Sequence, residues 1–351
     1  MESNKLNMEE IVYNSIDKKE NTNREILRQA DAVDFQSLPS DVVKKDQYGF
    51  VQKEGSKTLS EEELKKQKLQ LNARIEKWNE MLANYESWKD SAKLKSRTRK
   101  GIPDNLRGRV WQIFANIKSK YRPDYYEPLA NEEGEITENE KVILRDLDRT
   151  FPDNSFFANK YGQGQRELYH VLLAYSRHSP ETGYVQGMGY IVATLLTYMP
   201  PESAFFMLDI ILKEYGLLGL YLPGFPELNK TFYVFLFLLK KYIPTVFDIF
   251  SKNQIFPSMF ASEWFITLFS KELEFSILAR IFDVFFLEGF KVIYRFALGF
   301  IKLKENKFIE VSKEGLQGIL PLTKQLLDDV DVEKLFDISF GFSLSRDFIK
   351  S

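Results

Sequence analysis

From Arg99 onward, apolar residues recur at three- and four-residue intervals, the spacing that lines one face of an α-helix. Leu168, Val171, Leu172 and Tyr175 form one such face. Met188, Ile191, Val192, Leu195, Leu196 and Met199 form another, which Pro200-Pro201 terminates because proline lacks the amide hydrogen a helix needs. Phe205, Leu208, Leu212 and Tyr215 follow. Leu278, Ile281, Phe282 and Phe285 predict a further helix, and Ile293, Phe296, Ala297, Phe300 and Ile301 the next. No stretch alternates at period two, and no period marks a solenoid. The pattern predicts an all-α fold of many helices joined by Gly/Pro punctuation. Its strongest internal break is Leu220–Pro226, which predicts two helical lobes, about 99–222 and 223–335, with a C-terminal tail over 336–351.

Residues 59–98 predict an amphipathic helix ahead of this region. Ser60 and Glu63 have capping-box spacing, and Leu59 against Leu64 that of a hydrophobic staple. Leu64, Leu71, Ile75, Trp78, Leu82, Tyr85 and Trp88 form a stripe. Two tryptophans on one stripe favour packing on the main domain over a free coiled-coil dimer. Residues 1–58 are rich in Asn, Lys, Asp and Glu with scattered apolar positions, and read as a mostly flexible leader. Within it, Asp46-Gln47-Tyr48-Gly49-Phe50 places an aromatic pair around a glycine. That segment either docks on the folded domain or turns within a flexible tail.

Composition narrows the chemistry. The 351 residues carry a net charge of -2, so the chain lacks the basic footprint of a nucleic-acid binder. Zero cysteines remove disulfides, thiolate metal sites, a cysteine nucleophile and lipid attachment through sulfur. Two histidines, His170 and His178, offer little material for a zinc site or for imidazole acid–base work. Residues 1–20 hold no apolar core of a secretory signal. The most apolar window, Thr231 to Phe250, is interrupted by Lys240-Lys241 and Pro244. The expectation is a soluble, cytoplasmic protein without direct membrane insertion, monomeric by default.

Two polar residues stand in unusual settings. Thr137 with Glu140 matches a second capping box, opening a helix toward Arg149 on which Ile143, Asp146 and Arg149 are spaced three apart. Phe151 precedes Pro152 and is biased away from helical geometry, so Arg149 falls at the last turn. Its guanidinium reaches past the helix end. Asp146 holds it by an i,i+3 ion pair or anchors the following loop. Gln186 lies between Gly183 and Gly187-Met188-Gly189, glycines that allow another protein to approach closely. Its carboxamide can orient a water and donate to a phosphate oxygen. A cation and a carboxamide suit phosphoryl transfer on a nucleotide held elsewhere. No G-x-x-x-x-G-K-[ST] is present, so the chain is not expected to bind nucleotide itself.

The order of motifs resembles the TBC domain, the GTPase-activating module that acts on Rab GTPases. The likeness runs through Arg99-Lys100-Gly101-Ile102-Pro103, Leu106-Arg107-Gly108, Val110-Trp111 and Ile143 to Arg149-Thr150-Phe151-Pro152. It continues through Gly164-Gln165, Leu168, Val171-Leu172, Ala174-Tyr175 and Gly183-Tyr184-Val185-Gln186-Gly187-Met188. Glu263-Trp264-Phe265, Leu268-Phe269, Arg280-Ile281-Phe282-Asp283 and Glu288-Gly289-Phe290-Lys291 complete it. Phe282 stands where the family usually places Trp, a change that bears on packing. The resemblance implies a TBC domain over 99–335 with Arg149 as an arginine finger and Gln186 as a glutamine finger. Asp146, Tyr184, Gly187 and Arg107 would be supporting or Rab-interface residues, and Trp111 and Trp264 core. It further implies a GTP-bound Rab as partner, GTP and Mg held by that partner with no cofactor of the chain's own, and a role in vesicle trafficking at endomembranes or the plasma membrane. The alternative is a TBC-like scaffold or effector that binds a Rab without stimulating hydrolysis. Asp146-Leu147-Asp148 also fits the D-x-D of metal-dependent glycosyltransferases, but those sites end a β-strand.

Overall fold

A computed structural model describes residues 8–29, 44–52 and 60–344. Among the described residues there are eighteen α-helices and no strand, only two isolated β-bridges. The principal helices are α1 (Met8–Gln29), α2 (Glu61–Ala83), α3 (Asp104–Phe114), α4 (Glu138–Leu147) and α5 (Gln163–His178). They continue with α6 (Met188–Leu196), α7 (Pro201–Lys213), α8 (Phe275–Glu288), α9 (Lys291–Leu303) and α10 (Val332–Gly341). The apolar faces read from the sequence are the core. Leu168, Val171, Leu172 and Tyr175 on α5, and Ile293, Phe296, Ala297, Phe300 and Ile301 on α9, are all buried.

The chain divides into two compact units, one of Met1–Ser56 and Arg122–Phe205, the other of Lys57–Tyr121 and Phe206–Ser351. The expected boundary near 222 is replaced by one inside α7. Adjacent phenylalanines show why: Phe205 packs on Tyr125, Tyr126 and His178 of the first unit, and Phe206 on Tyr121 of the second. Proline and glycine mark where a helix stops, which is not where a core stops. At the predicted break, Phe225 adopts φ +50 and Pro226 opens the next helix.

In the first unit, the leader is not flexible throughout, since α1 packs against α4 and α5. The described side chains of α1, 18–28, are fastened by several charged contacts. Glu20 accepts from Arg145 Nε at 2.8 Å, Arg24 Nε lies 2.8 Å from Glu140 Oε1, and Arg28 donates to Glu132 O at 2.9 Å, with Leu27 as a buried apolar anchor. Composition alone could not separate such a helix from a disordered tail. Glu140 consequently departs from its expected capping role. The Thr137 hydroxyl caps Glu140 N at 3.2 Å, but the buried Glu140 side chain turns inward to Tyr169, whose hydroxyl donates at 2.6 Å. Burial and that carboxylate push the Tyr169 hydroxyl up to about 12.

In the second unit, α2 begins with the complete Ser60/Glu63 capping box. The staple lies outside the described residues. Of the stripe, Trp78 and Leu82 are buried, joined by Met81 beside it, while Leu71 remains 42% exposed. The helix stops at Ala83, so Tyr85 and Trp88 fall on a separate turn. Arg74 Nη2 ties α2 to Gly101 O at 2.6 Å. At the unit's centre, buried Asp283 on α8 accepts from Ile102 N at 2.7 Å, Arg107 Nε at 3.1 Å and Trp111 Nε1 at 2.8 Å. Phe282 is fully buried with its ring 5.7 Å from Trp111, so the smaller aromatic is accommodated. Glu288, at the end of α8, receives both Arg99 Nε at 2.7 Å and Nη2 at 3.0 Å. α10 packs along α9, where a Cβ on Gly299 would lie 2.0 Å from Ser339 Oγ. The stretch expected to be a tail from 336 is thus packed helix as far as Gly341.

Candidate functional site

Arg149 and Gln186 both belong to the first unit. α4 ends at Leu147, which places Arg149 just beyond the helix instead of in its last turn. The backbone closes there by Arg149 N to Asp146 O at 3.3 Å and Thr150 N to Leu147 O at 3.2 Å. Phe151 then takes φ +49, a left-handed conformation that bulky side chains resist and that the surroundings must hold. The Arg149 side chain is 49% exposed and forms an ion pair with Asp146 Oδ1. The ion pair expected of Asp146 is thus realised, and the Thr150 hydroxyl donates to the backbone carbonyl of Asp146 at 2.8 Å and secures the following turn.

Gln186 lies in the short turn before α6 and is exposed, with no partner for its carboxamide among the described residues. Gly187 caps α6 at φ +109, a conformation that glycine adopts without steric cost. The turn is fixed from behind. Tyr184 is buried, its amide donates to Asn139 Oδ1 at 3.1 Å, and its hydroxyl donates to Asp146 Oδ2 at 2.8 Å. Burial first, then the charge of Asp146 and its hydrogen bond, hold the Tyr184 hydroxyl well above its ordinary value, so it stays a donor. One carboxylate therefore joins the two segments: Oδ1 takes Arg149 and Oδ2 takes the tyrosine two residues before Gln186.

Three further residues complete the arrangement. The Tyr190 hydroxyl on α6 donates to Arg149 O at 2.8 Å, and Asn139 on α4 holds the Tyr184 amide. Thr150 approaches the start of α6, where a Cβ on Gly189 would sit 3.1 Å from its hydroxyl. Sequence reasoning did not find Tyr190 or Asn139, whose partners lie 41 and 45 residues away. Gly189 carried a legible signal as the second glycine after Gln186.

Arg107 lies in the second unit, 4% exposed, with Nε on Asp283 and Nη1 on Asp104. A guanidinium so enclosed is a structural ion pair and is removed from the interface candidates. Trp111 and Trp264 are core, as expected. Asp148 reaches Gln165 Nε2 at 3.3 Å while Asp146 is committed to Arg149 and Tyr184, and the pair lies at a helix end, so the D-x-D reading lacks its strand. Among the described residues no group of three or more His, Asp and Glu is placed to hold a metal. The chemistry on offer is one exposed cation and one exposed carboxamide, presented outward from buried anchors.

Comparison with known proteins places this architecture. The Rab-GTPase-TBC domain matches residues 104–309. The chain is 34% identical over 244 residues to the Rab GTPase-activating protein tbc-11 of Caenorhabditis elegans, covering 69% of this chain and 26% of that one. It is 35% identical over 260 residues to mouse TBC1 domain family member 10A, covering 73% and 51%. The chain thus spans between a quarter and about half the length of these relatives. Among solved structures, the Chlamydomonas flagellar RabGAP TBC domain superposes with TM-score 0.69 at 25% identity, over 85% of this chain and 99% of that one. The Ypt/Rab-GAP domain of Gyp1p, at 17% identity and TM-score 0.62, shares the fold. With its motifs in order and the greater part of its length matched, the chain belongs to the Rab-GTPase-TBC domain family.

Proposed function

We propose that this chain is a GTPase-activating protein that accelerates GTP hydrolysis by a Rab-family GTPase, supplying Arg149 and Gln186 in trans. The carrying observation is the shared anchor. Arg149 and the Gln186 turn meet at Asp146, and each presents its polar end to solvent. Phosphoryl transfer asks little covalent work of a protein; it needs charge neutralised on the γ-phosphate oxygens and a water aligned for attack. Arg149 supplies the cation. The Gln186 carboxamide accepts from the water and donates to a phosphate oxygen, the role otherwise filled by the GTPase's own glutamine. An arginine supplied in this way is worth about 10³–10⁵ in rate, or about 4–7 kcal/mol of barrier.

In this reading GTP and Mg belong to the partner, and the chain brings no cofactor of its own. It acts as a cytoplasmic monomer that reaches endomembranes or the plasma membrane through the Rab, and so regulates vesicle traffic. No helix among the described residues is long and apolar enough to cross a membrane.

Single-turnover GTP hydrolysis across a panel of GTP-loaded Rab proteins tests the proposal. At least one Rab is accelerated by the wild type, and Arg149→Ala lowers that stimulated rate by about 10³-fold or more. Gln186→Ala lowers the rate strongly with little change in Rab-GTP affinity, because its contact matures in the transition state. A panel in which every Rab hydrolyses at its intrinsic rate but one binds tightly would instead make the chain a scaffold or effector.

A further inference from the structure

We infer that residues 44–52 form a clamp that positions Arg149, an inference that rests on the arginine-finger reading above. The segment is folded by its own side chain. Asp46 Oδ1 accepts from the amides of Tyr48 at 2.8 Å and Phe50 at 2.9 Å, and Gly49 turns the chain at φ +89. Folded in this way, it meets the backbone just after Phe151-Pro152. Val51 N donates to Asp153 O at 3.1 Å, Asn154 Nδ2 to Tyr48 O at 2.9 Å, and Ser155 N to Gly49 O at 2.8 Å. The fit is close, since a Cβ on Gly49 would lie 2.7 Å from Ser155 Oγ.

What the clamp touches is the strained residue of the site. The Phe50 ring stands edge-on to Phe151 with centroids 5.3 Å apart. Phe151, held at φ +49, packs in turn on Tyr190 at 5.7 Å, and the Tyr190 hydroxyl donates to Arg149 O at 2.8 Å. A continuous path of packed groups therefore runs from Phe50 through Phe151 and Tyr190 to the arginine's own carbonyl. The guanidinium needs such help. Its side-chain anchor is one i,i+3 ion pair, from a half-exposed arginine to a buried carboxylate, and one contact does not by itself set the direction of so long a side chain. The backbone must set the arginine's direction, and two residues on, at Phe151, that backbone is left-handed against its intrinsic preference. Phe50 is a positioning residue: it keeps Phe151 seated, and Phe151 keeps the turn.

Full-length Phe50→Ala and Gly49→Ala, which open the clamp by different routes, test this on the Rab identified by the panel. Each lowers kcat of stimulated hydrolysis about tenfold with KM within about twofold, because misplacing a group that acts only in the transition state costs rate and spares binding. In an Arg149→Ala background, Phe50→Ala costs nothing further. A general loosening of the fold would slow both backgrounds by the same factor, and that result overturns the inference. So does a Phe50→Ala protein with wild-type kcat while Arg149→Ala is slow, which leaves the finger reading standing. If Arg149→Ala is itself as fast as wild type, the finger reading fails and the clamp has nothing to position.

Discussion

Asp146 is buried, yet each of its oxygens serves a different segment: one takes the exposed Arg149, the other the buried Tyr184 hydroxyl. Removing only that hydroxyl, in Tyr184→Phe, keeps the ring in the core and leaves a buried carboxylate oxygen without its donor, at a cost of about 1–3 kcal/mol. The expected result is a folded protein with a lowered melting temperature and a kcat for stimulated hydrolysis reduced roughly tenfold, as the Gln186 turn loses its tie to the Arg149 turn. Unchanged kcat would show that the tie stabilises without positioning. At this scale the sequence was legible where partners are near in the chain. The three-residue step from Asp146 to Arg149 predicted their pairing. Tyr190 and Asn139 were not legible, because nothing local distinguishes a tyrosine that will meet a carbonyl 41 residues away from one that packs.

The helices themselves were legible wherever a wide apolar stripe had to be buried, as on α5, α6, α8 and α9. α1 was not, because Glu20, Arg24 and Arg28 find partners on residues the local pattern cannot name. α2 failed in the other direction, since of its legible stripe only Trp78 and Leu82 are buried while Ile75, Tyr85 and Trp88 are partly covered and Leu71 is exposed. Pattern reports what a helix is able to bury, while the neighbouring elements decide how much of it is covered. The α9–α10 pair offers a test of close packing. Gly299 lets α10 approach, and a methyl there must displace the short, buried Ser339 side chain and press on Leu335 Cδ1 at 3.1 Å. Gly299→Ala should destabilise the protein by about 1–3 kcal/mol, the usual cost of overpacking, despite alanine's better helix propensity. Urea unfolding measures it; a midpoint at or above wild type would mean that α10 yields freely.

For the molecule as a whole, the family motifs that lie away from Arg149 and Gln186 are largely scaffold. Arg107, Ile102 and Trp111 converge on Asp283, and Arg99 and Arg295 on Glu288. Burial pushes the Asp283 carboxyl up to about 6 against the pull of Arg107 and its other donors. Its folded-state value therefore lies above its unfolded one, so the folded protein holds that proton more tightly. The stability this group contributes is fully present below about pH 4 and is lost as pH rises through about 6. Asp283→Asn cannot titrate. It should be the less stable protein at pH 7, with Arg107 buried beside a neutral amide, yet between pH 4 and 7 the wild type should lose stability relative to it. Unfolding free energies at several pH values check this, and parallel profiles would contradict it.

The polar fastening of α1 has a consequence for how the protein is made. Glu20 pairs with Arg145, 125 residues later, so at about 5–20 residues per second the ribosome delivers the partner roughly 6–25 s after the helix has emerged. A greasy helix would spend that interval exposing surface to every nascent chain nearby. Glu20 and Arg24 wait in water without harm and find their partners only when α4 arrives carrying Arg145 and Glu140.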